Sequence, residues 1–132
     1  MKKKITNSEA FELASKLNDP EILGIKDTEF ALAVYKNLKV IVDEYNILQG
    51  LITPSEKWLE VTKDAKEEED FTKLKKVKGN KAMFETREAQ IAGYNEELLK
   101  PFSKTLVTVK IKNLKTRLSA KDLIDLEPML KI

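Results

Sequence analysis

Three carboxylates in the middle of the chain have the regular spacing that a chemical site could use. Glu56, Glu60 and Asp64 recur every four residues, so a helix would place them along one face. Carboxylate oxygens bind Mg²⁺ or Ca²⁺, but sites for such ions usually draw ligands from several elements, and no second cluster accompanies these three. We therefore expect a water-facing acidic stripe and no metal site.

The absence of histidine and cysteine removes most other catalytic chemistry. Without these residues the chain has no disulfides, no thiolate nucleophile, no zinc site of the usual type and no imidazole base. The serines lack a G-x-S-x-G turn, and the four glycines stand apart instead of forming a phosphate-binding loop. The sequence predicts a protein that is not an enzyme and holds no cofactor.

A basic segment lies near the C-terminus. It contains seven bases and no acid from Lys100 to Lys121, whereas residues 21–70 contain 12 acids and 6 bases. Clustered cations release counterions from phosphates, which makes this segment a candidate polyanion site. Its candidate residues are Lys104, Lys110, Lys112, Lys115 and Arg117. Phe102 is the one aromatic available there for base stacking, so nucleic acid is not favoured over an acidic protein partner.

The elements that must position these residues are mostly helices. A length of 132 residues fits a single domain over 1–132. We predict a mostly α (α+β) fold with four to five helices, a fourth helix from about Phe84 to Lys100, and a charged mobile loop at about 66–82. Capping boxes predict that helices begin after Thr6, Thr53 and Ser119.

A long amphipathic second helix, beginning near Asp27 or Thr28, carries the strongest periodicity. Its apolar residues follow a spacing of three and four, which we call the seam: Val34, Leu38, Ile41, Tyr45 and Leu48. Ala31, Tyr35 and Val42 widen the seam into a stripe. Two interpretations follow, an interface with a second copy or another protein, and packing within the domain. Packing is favoured, since a small helical domain needs such a stripe to fold.

One C-terminal β-strand is predicted over residues 105–112, where apolar and polar residues alternate. Val107, Val109 and Ile111 share one face of this strand. A strand needs a hydrogen-bonding partner, and three candidates are open: residues 22–26, residues 74–84, or a second molecule. The first two would make a small two- or three-stranded sheet, and the third would make the strand a protein interface by strand addition.

The order of these segments resembles a family of small tailed-bacteriophage proteins of unknown function. The matching pieces span most of the chain: the capped first helix, Phe30-Ala31-Leu32-Ala33, a charged middle with Gly79, Glu96-Glu97-Leu98-Leu99, Val107-Thr108-Val109-Lys110-Ile111, and Leu123 through Leu126-Glu127-Pro128-Met129. The resemblance implies a viral origin and a binding role. It implies no catalytic residues.

The expected function is therefore protein–protein binding, as a structural or assembly component of a virion. The alternatives are an early accessory protein that binds and inhibits a host factor, and a nucleic-acid-binding accessory that uses residues 100–121. The expected partner is a second copy, a host protein or a phage protein. No apolar run approaches the ~20 residues that span a bilayer, so we expect no membrane partner and a location in the host cytoplasm or the virion.

Overall fold

A computed structural model describes residues 4–132, and helices dominate this part of the chain. Its helices are α1 (Asn7–Leu17), α2 (Pro20–Leu23), α3 (Thr28–Gln49), α4 (Glu56–Thr62), α5 (Glu68–Lys75), α6 (Lys81–Leu99) and α7 (Ala120–Asp125), and its strands are β1 (Val109–Lys110) and β2 (Leu130–Lys131). The predicted mostly helical α+β class is confirmed. The described residues form seven α-helices, where four or five were expected.

Residue contacts group the chain into two compact units. The first unit comprises the chain up to Asn46 together with Leu98–Ile132, and the second comprises Ile47–Glu97. The single domain expected over residues 1–132 stays a prediction.

The core of the first unit joins the two ends of the chain. Its buried side chains come from α1, α2, α3 and the C-terminal segment: Ala10, Leu13, Ala14, Leu17, Ile22, Phe30, Ala33, Val34, Ile41, Phe102, Val109, Leu126 and Met129. Burial of an amphipathic face supplies most of the stability of a helix in a small protein. The C-terminal segment is therefore part of the fold of the first unit.

Polar side chains cap the N-termini of helices in the first unit, and the sequence predicts two of these caps, Thr6 and Ser119. The Thr6 hydroxyl accepts from the Glu9 amide, and the Glu9 carboxylate accepts from the Thr6 amide, which is the expected capping box. The Ser119 hydroxyl likewise accepts from the Asp122 amide at the start of α7. These caps satisfy amides that have no partner within the helix.

The prediction that the third helix begins after Thr53 is wrong by two residues. The capping side chain of α4 is Ser55, whose hydroxyl accepts from the Trp58 amide. The Thr53 hydroxyl instead donates to the Gln49 carbonyl, beside the single 3₁₀ turn that follows α3. Both residues have a hydroxyl that can cap a helix, and the capping pattern alone did not distinguish them.

The charged segment 66–82, predicted to be a loop, contains helix α5. The Glu67 and Asp70 side chains form a capping box, and the Asp70 carboxylate accepts from the Glu67 and Lys66 amides. These two hydrogen bonds hold the pKa of Asp70 below its ordinary value. The dense charge of this segment led to the prediction of a loop. The helix that forms has an acidic first turn and a basic last turn, an order that the helix dipole favours.

The second unit is organised around Trp58. Its indole stacks on Phe71 at 6.3 Å between ring centroids and meets the buried Phe84 edge to face at 4.7 Å. The Arg87 guanidinium lies 5.9 Å from the indole centroid and donates to the Ile52 carbonyl. Aromatic contacts of this kind contribute about 0.5–1.5 kcal/mol each beyond area burial. They connect α4, α5 and α6 within this unit.

Only two residues of the predicted strand 105–112 form a strand, and the chain turns into a 3₁₀ segment at Ile111–Asn113. Strand β1 pairs in parallel with β2, with Val109 opposite Leu130 and Lys110 opposite Lys131. This small two-stranded sheet is within the range expected. The partner of β1 is β2, at the C-terminal end of the chain. This partner is none of the three considered from the sequence, which are residues 22–26, residues 74–84 and a second molecule.

Candidate functional site

The structure places most of the predicted seam inside the protein. Val34 and Ile41 belong to the core of the first unit, and Leu48 is also buried. Leu38 is half-buried against the core, and Tyr45 is exposed over 41% of its surface. The seam as predicted is therefore unavailable as an interface, because three of its five side chains already pack within the chain. The favoured interpretation of the pattern, intramolecular packing, accounts for these three residues.

A second apolar stripe lies along the edge of the seam, and all of its residues except the half-buried Leu38 are exposed. We call it the outer stripe, and it consists of Tyr35, Leu38, Val42 and Tyr45, spaced by three, four and three residues. The exposed fractions are 63% for Tyr35 and 42% for Val42. Side chains with this spacing lie on one helical face. In the sequence, Tyr35 and Val42 only widen the seam. The spacing of apolar residues does not show which edge of the stripe packs against the rest of the protein and which edge faces solvent.

An aromatic contact holds one end of the outer stripe in place. The Phe11 ring on α1 meets the Tyr45 ring edge to face, with 5.2 Å between centroids and an interplanar angle of 89°. Phe11 is itself only partly buried, so it extends the outer stripe onto α1. An aromatic side chain that is already ordered loses little conformational entropy when it is bound.

A charged edge runs beside the outer stripe on the same helix. It consists of Lys36, Lys39 and Asp43, all exposed, at a spacing of three and four residues. Both lysines lie nearer to the N-terminus of α3 than Asp43 does. The edge therefore changes sign along the helix axis, and a charged partner would meet it in one direction better than in the other.

The C-terminal strand residues are not a shared surface. Val109 is buried in the core, whereas Val107 and Ile111 are partly exposed, so the three residues predicted on one strand face do not act together. Ile111 begins the 3₁₀ segment that follows β1, and the backbone of Val107 is bound by Asn37, which is 1% exposed. Its amide oxygen accepts from the Val107 amide at 2.7 Å, and its amide nitrogen donates to the Val107 carbonyl at 2.9 Å. A side chain thus takes the place of a neighbouring strand.

The basic segment presents its cations to solvent. Lys104, Lys110, Lys112, Lys115 and Arg117 are all exposed. The Lys104 ammonium lies 3.9 Å from the carboxylate of Glu44, whose side chain is 20% exposed. Lys115 and Arg117 flank a shallow depression lined by Ile111, Leu114, Leu118 and Leu123. The structure thus brings two of the five predicted polyanion residues to one apolar depression.

Asp27 fixes this segment to the start of α3. One carboxylate oxygen accepts from the Phe30 amide at 3.2 Å, which caps α3, and the other accepts from the Lys115 amide at 2.9 Å. Hydrogen bonds from Lys115 and then from Phe30 hold the pKa of Asp27 below its ordinary value of 3.8. The sequence marks Asp27 only as a start of the helix, and nothing in it points to the contact with Lys115.

The three central carboxylates do not form a site. Glu56 and Glu60 lie on α4, but the helix ends at Thr62, so Asp64 is outside it. All three side chains are exposed, and Glu60 pairs with Lys63 at 3.3 Å. Within residues 4–132 no group of three or more acidic side chains is arranged to hold a metal ion.

No family model, curated protein or solved structure matches this chain. The structure of the described residues also has no helix with the length and apolarity to cross a bilayer.

Proposed function

We propose that this protein functions by binding another protein through the outer stripe of α3, and that it catalyses no reaction. The observation that carries the proposal is the exposure of Tyr35, Val42 and Tyr45 along one face of a helix whose adjoining face is packed in the core. Tyrosine is enriched in protein interfaces, because its ring supplies apolar area and its hydroxyl can stay hydrated or find a partner.

Burial of the outer stripe against a partner protein would be energetically favourable. Covering a large apolar side chain that is otherwise exposed is worth roughly 1.5–3 kcal/mol. The outer stripe offers several such side chains on a rigid scaffold, because Ile41 and Val34 on the inner side of α3 are packed. Rigid anchors of this kind carry most of the energy in known interfaces.

A comparison of captured proteins tests the proposal. Tagged wild-type protein is used to capture partners from its native cell, beside Tyr35→Lys and a control variant, Ile124→Lys. Ile124 is also a large exposed apolar residue, on α7, at 73% exposure. We expect at least one protein to be retained by the wild type and by Ile124→Lys and lost by Tyr35→Lys. Identical captured sets from all three, with unchanged circular dichroism, would contradict a role for the stripe.

The biological setting that we propose is a tailed bacteriophage, on the resemblance described above. A component of the virion or of its assembly needs repeated protein contacts, and an early accessory protein needs one contact with a host factor. Neighbouring genes distinguish these roles. Capsid or tail genes favour the first role and a site in the virion, and a cluster of small early genes favours the second role and a site in the host cytoplasm.

A second candidate function, polyanion binding, rests on the exposure of the basic segment. Lys110 and Lys112 are exposed within a segment that has no acid from Lys100 to Lys121. Binding of this type weakens steeply with salt, since it is driven by counterion release. We expect Lys110→Gln with Lys112→Gln to reduce retention on heparin and the salt dependence of that retention. Equal retention of wild type and variant would reject this segment as the site.

A further inference from the structure

We propose that a second copy of this chain covers the outer stripe, with the two α3 helices antiparallel about a two-fold axis near position 40. This inference rests on the proposed protein-binding function of the stripe and names its partner. It is carried by two independent features of α3: the symmetric order of the outer-stripe residues, and the change of sign along its charged edge.

The residues of the outer stripe are spaced symmetrically about position 40. Tyr35 and Tyr45 each lie five residues from position 40, and Leu38 and Val42 each lie two residues from it. A two-fold axis through this point would bring Tyr35 of one copy to Tyr45 of the other, and Leu38 to Val42. Contacts in such a dimer are made twice by the same surface, so a self-complementary stripe is what the symmetry requires.

The larger and smaller aliphatic side chains then alternate across the axis. Leu38 of each copy would pack beside Val42 of the other, and the two ends would each hold a tyrosine pair. Phe11 adds to each end through its contact with Tyr45, so the Tyr35 ring would meet two aromatic rings of the other copy. Aromatic pairs are worth more than the area that they bury.

The charged edge selects the antiparallel direction. In a parallel pair related by a two-fold axis along the helices, the charged edges of the two copies would lie on opposite sides of the interface and would not meet. In the antiparallel pair both edges lie on the same side, and along the helix axis Lys39 lies within one helical turn of Asp43 of the second copy. Opposite charges across an interface fix its register and direction.

The expected dimer is weak. A single helix pair with one added aromatic contact falls at or below the low end of specific interfaces, which bury about 1,200–2,000 Å² in total. We therefore expect a monomer–dimer equilibrium that depends on concentration. A mass that rises from 15.1 kDa toward twice this value is the expected result of sedimentation over a wide concentration range.

A charge exchange tests the direction of pairing. Lys39→Glu and Asp43→Lys should each weaken self-association, by about tenfold, since each replaces two attractive pairs with repulsive ones. The double variant should recover the wild-type equilibrium, because it restores opposite charges with their positions exchanged. Val42→Lys should leave a monomer at all concentrations, and Ile124→Lys should dimerise as the wild type does.

Three results would overturn the proposal: a wild-type mass that stays at one chain, a dimer that Val42→Lys leaves intact, or a double charge variant that fails to recover. Each is distinguishable from failure of the proposed function. If the wild type is a monomer and Tyr35→Lys still loses a captured protein, the stripe binds a different protein and the self-association is rejected. If the captured proteins are also unchanged, both proposals fail.

Discussion

Asn37 shows how one polar residue inside an apolar stripe can set the path of a distant segment. Its position in the sequence is in phase with Val34 and Ile41, where an apolar residue would extend the core. In the structure its amide makes two hydrogen bonds to the backbone of Val107, and its nitrogen lies 3.8 Å from the Met129 sulfur. Among the described residues no buried side-chain nitrogen or oxygen lacks a hydrogen-bond partner.

We predict that Asn37→Leu destabilises the protein by about 2–3 kcal/mol, because the amide and the carbonyl of Val107 both lose their partner. Urea unfolding measures the change. Asn46→Leu is the matched control, since Asn46 is exposed on the same helix, and surface substitutions usually stay within about 0.5 kcal/mol. Equal unfolding midpoints for the two variants would show that the contact with Val107 contributes no stability.

Asp27 gives a second prediction at this scale, in the acid range. Its folded pKa lies below the ordinary 3.8, so its hydrogen bonds stabilise the fold above that pH and are lost as the pH falls through the folded pKa. Below that pH the amide signals of Lys115 and Phe30 should shift together as the carboxylate is protonated. An NMR titration measures this pKa. The prediction fails if the Asp27 midpoint is 3.8 or higher, or if the two amides do not follow it.

At the scale of elements, the sequence predicted helices better than it predicted the strand. The caps at Thr6 and Ser119 are local, because the capping side chain and the capped amide are three residues apart. A helix also makes its own backbone hydrogen bonds. These signals are contained within a short window of sequence, which is why the bounds of α1 and α7 could be predicted.

The strand could not be predicted in the same way, since its hydrogen bonds go to distant residues. Alternation at residues 105–112 shows which side chains could be buried, but it does not show that Asn37, 70 residues away, binds Val107. The same limit applies to the candidate site. The helical period of α3 marks Tyr35 and Val42 as part of an apolar stripe. Only the fold shows that these two residues lie on the edge of the stripe that remains exposed.

Two glycines of the second unit should respond in opposite ways to alanine. Gly79 has a φ of +94°, which an L residue adopts only with strain, whereas Gly93 lies inside α6 with space for a methyl group. We predict that Gly79→Ala destabilises the protein by about 1 kcal/mol and that Gly93→Ala stabilises it by about 0.5–1 kcal/mol. Thermal unfolding followed by circular dichroism tests both, and changes of the same sign would contradict the assigned conformation of Gly79.

At the scale of the whole molecule, the two units differ in how much they bury. Thirteen buried apolar residues belong to the first unit, whereas the second contributes Leu48 and Phe84 to the buried set of the described residues. The units also differ in charge. The basic segment belongs to the first unit, and the acidic residues of α4 and α5 belong to the second.

This difference in burial leads to a prediction about local stability. Helices α4 and α5 contain no buried residue, whereas α1 contains five. Regions with few buried apolar contacts open more often than the core does. In native-state hydrogen exchange we therefore expect amides of α4 and α5 to exchange at least about tenfold faster than those of α1, after correction for intrinsic rates.

The single tryptophan provides an independent measurement of the same difference, because Trp58 lies in the second unit. If the second unit opens first, tryptophan fluorescence should change at a lower urea concentration than the far-ultraviolet dichroism, to which both units contribute. Coincident transitions together with equal exchange in α1, α4 and α5 would mean that the units unfold as one cooperative structure. Phe84→Leu sharpens the comparison, since it removes the buried ring beside Trp58 and should shift the fluorescence transition further than the dichroism.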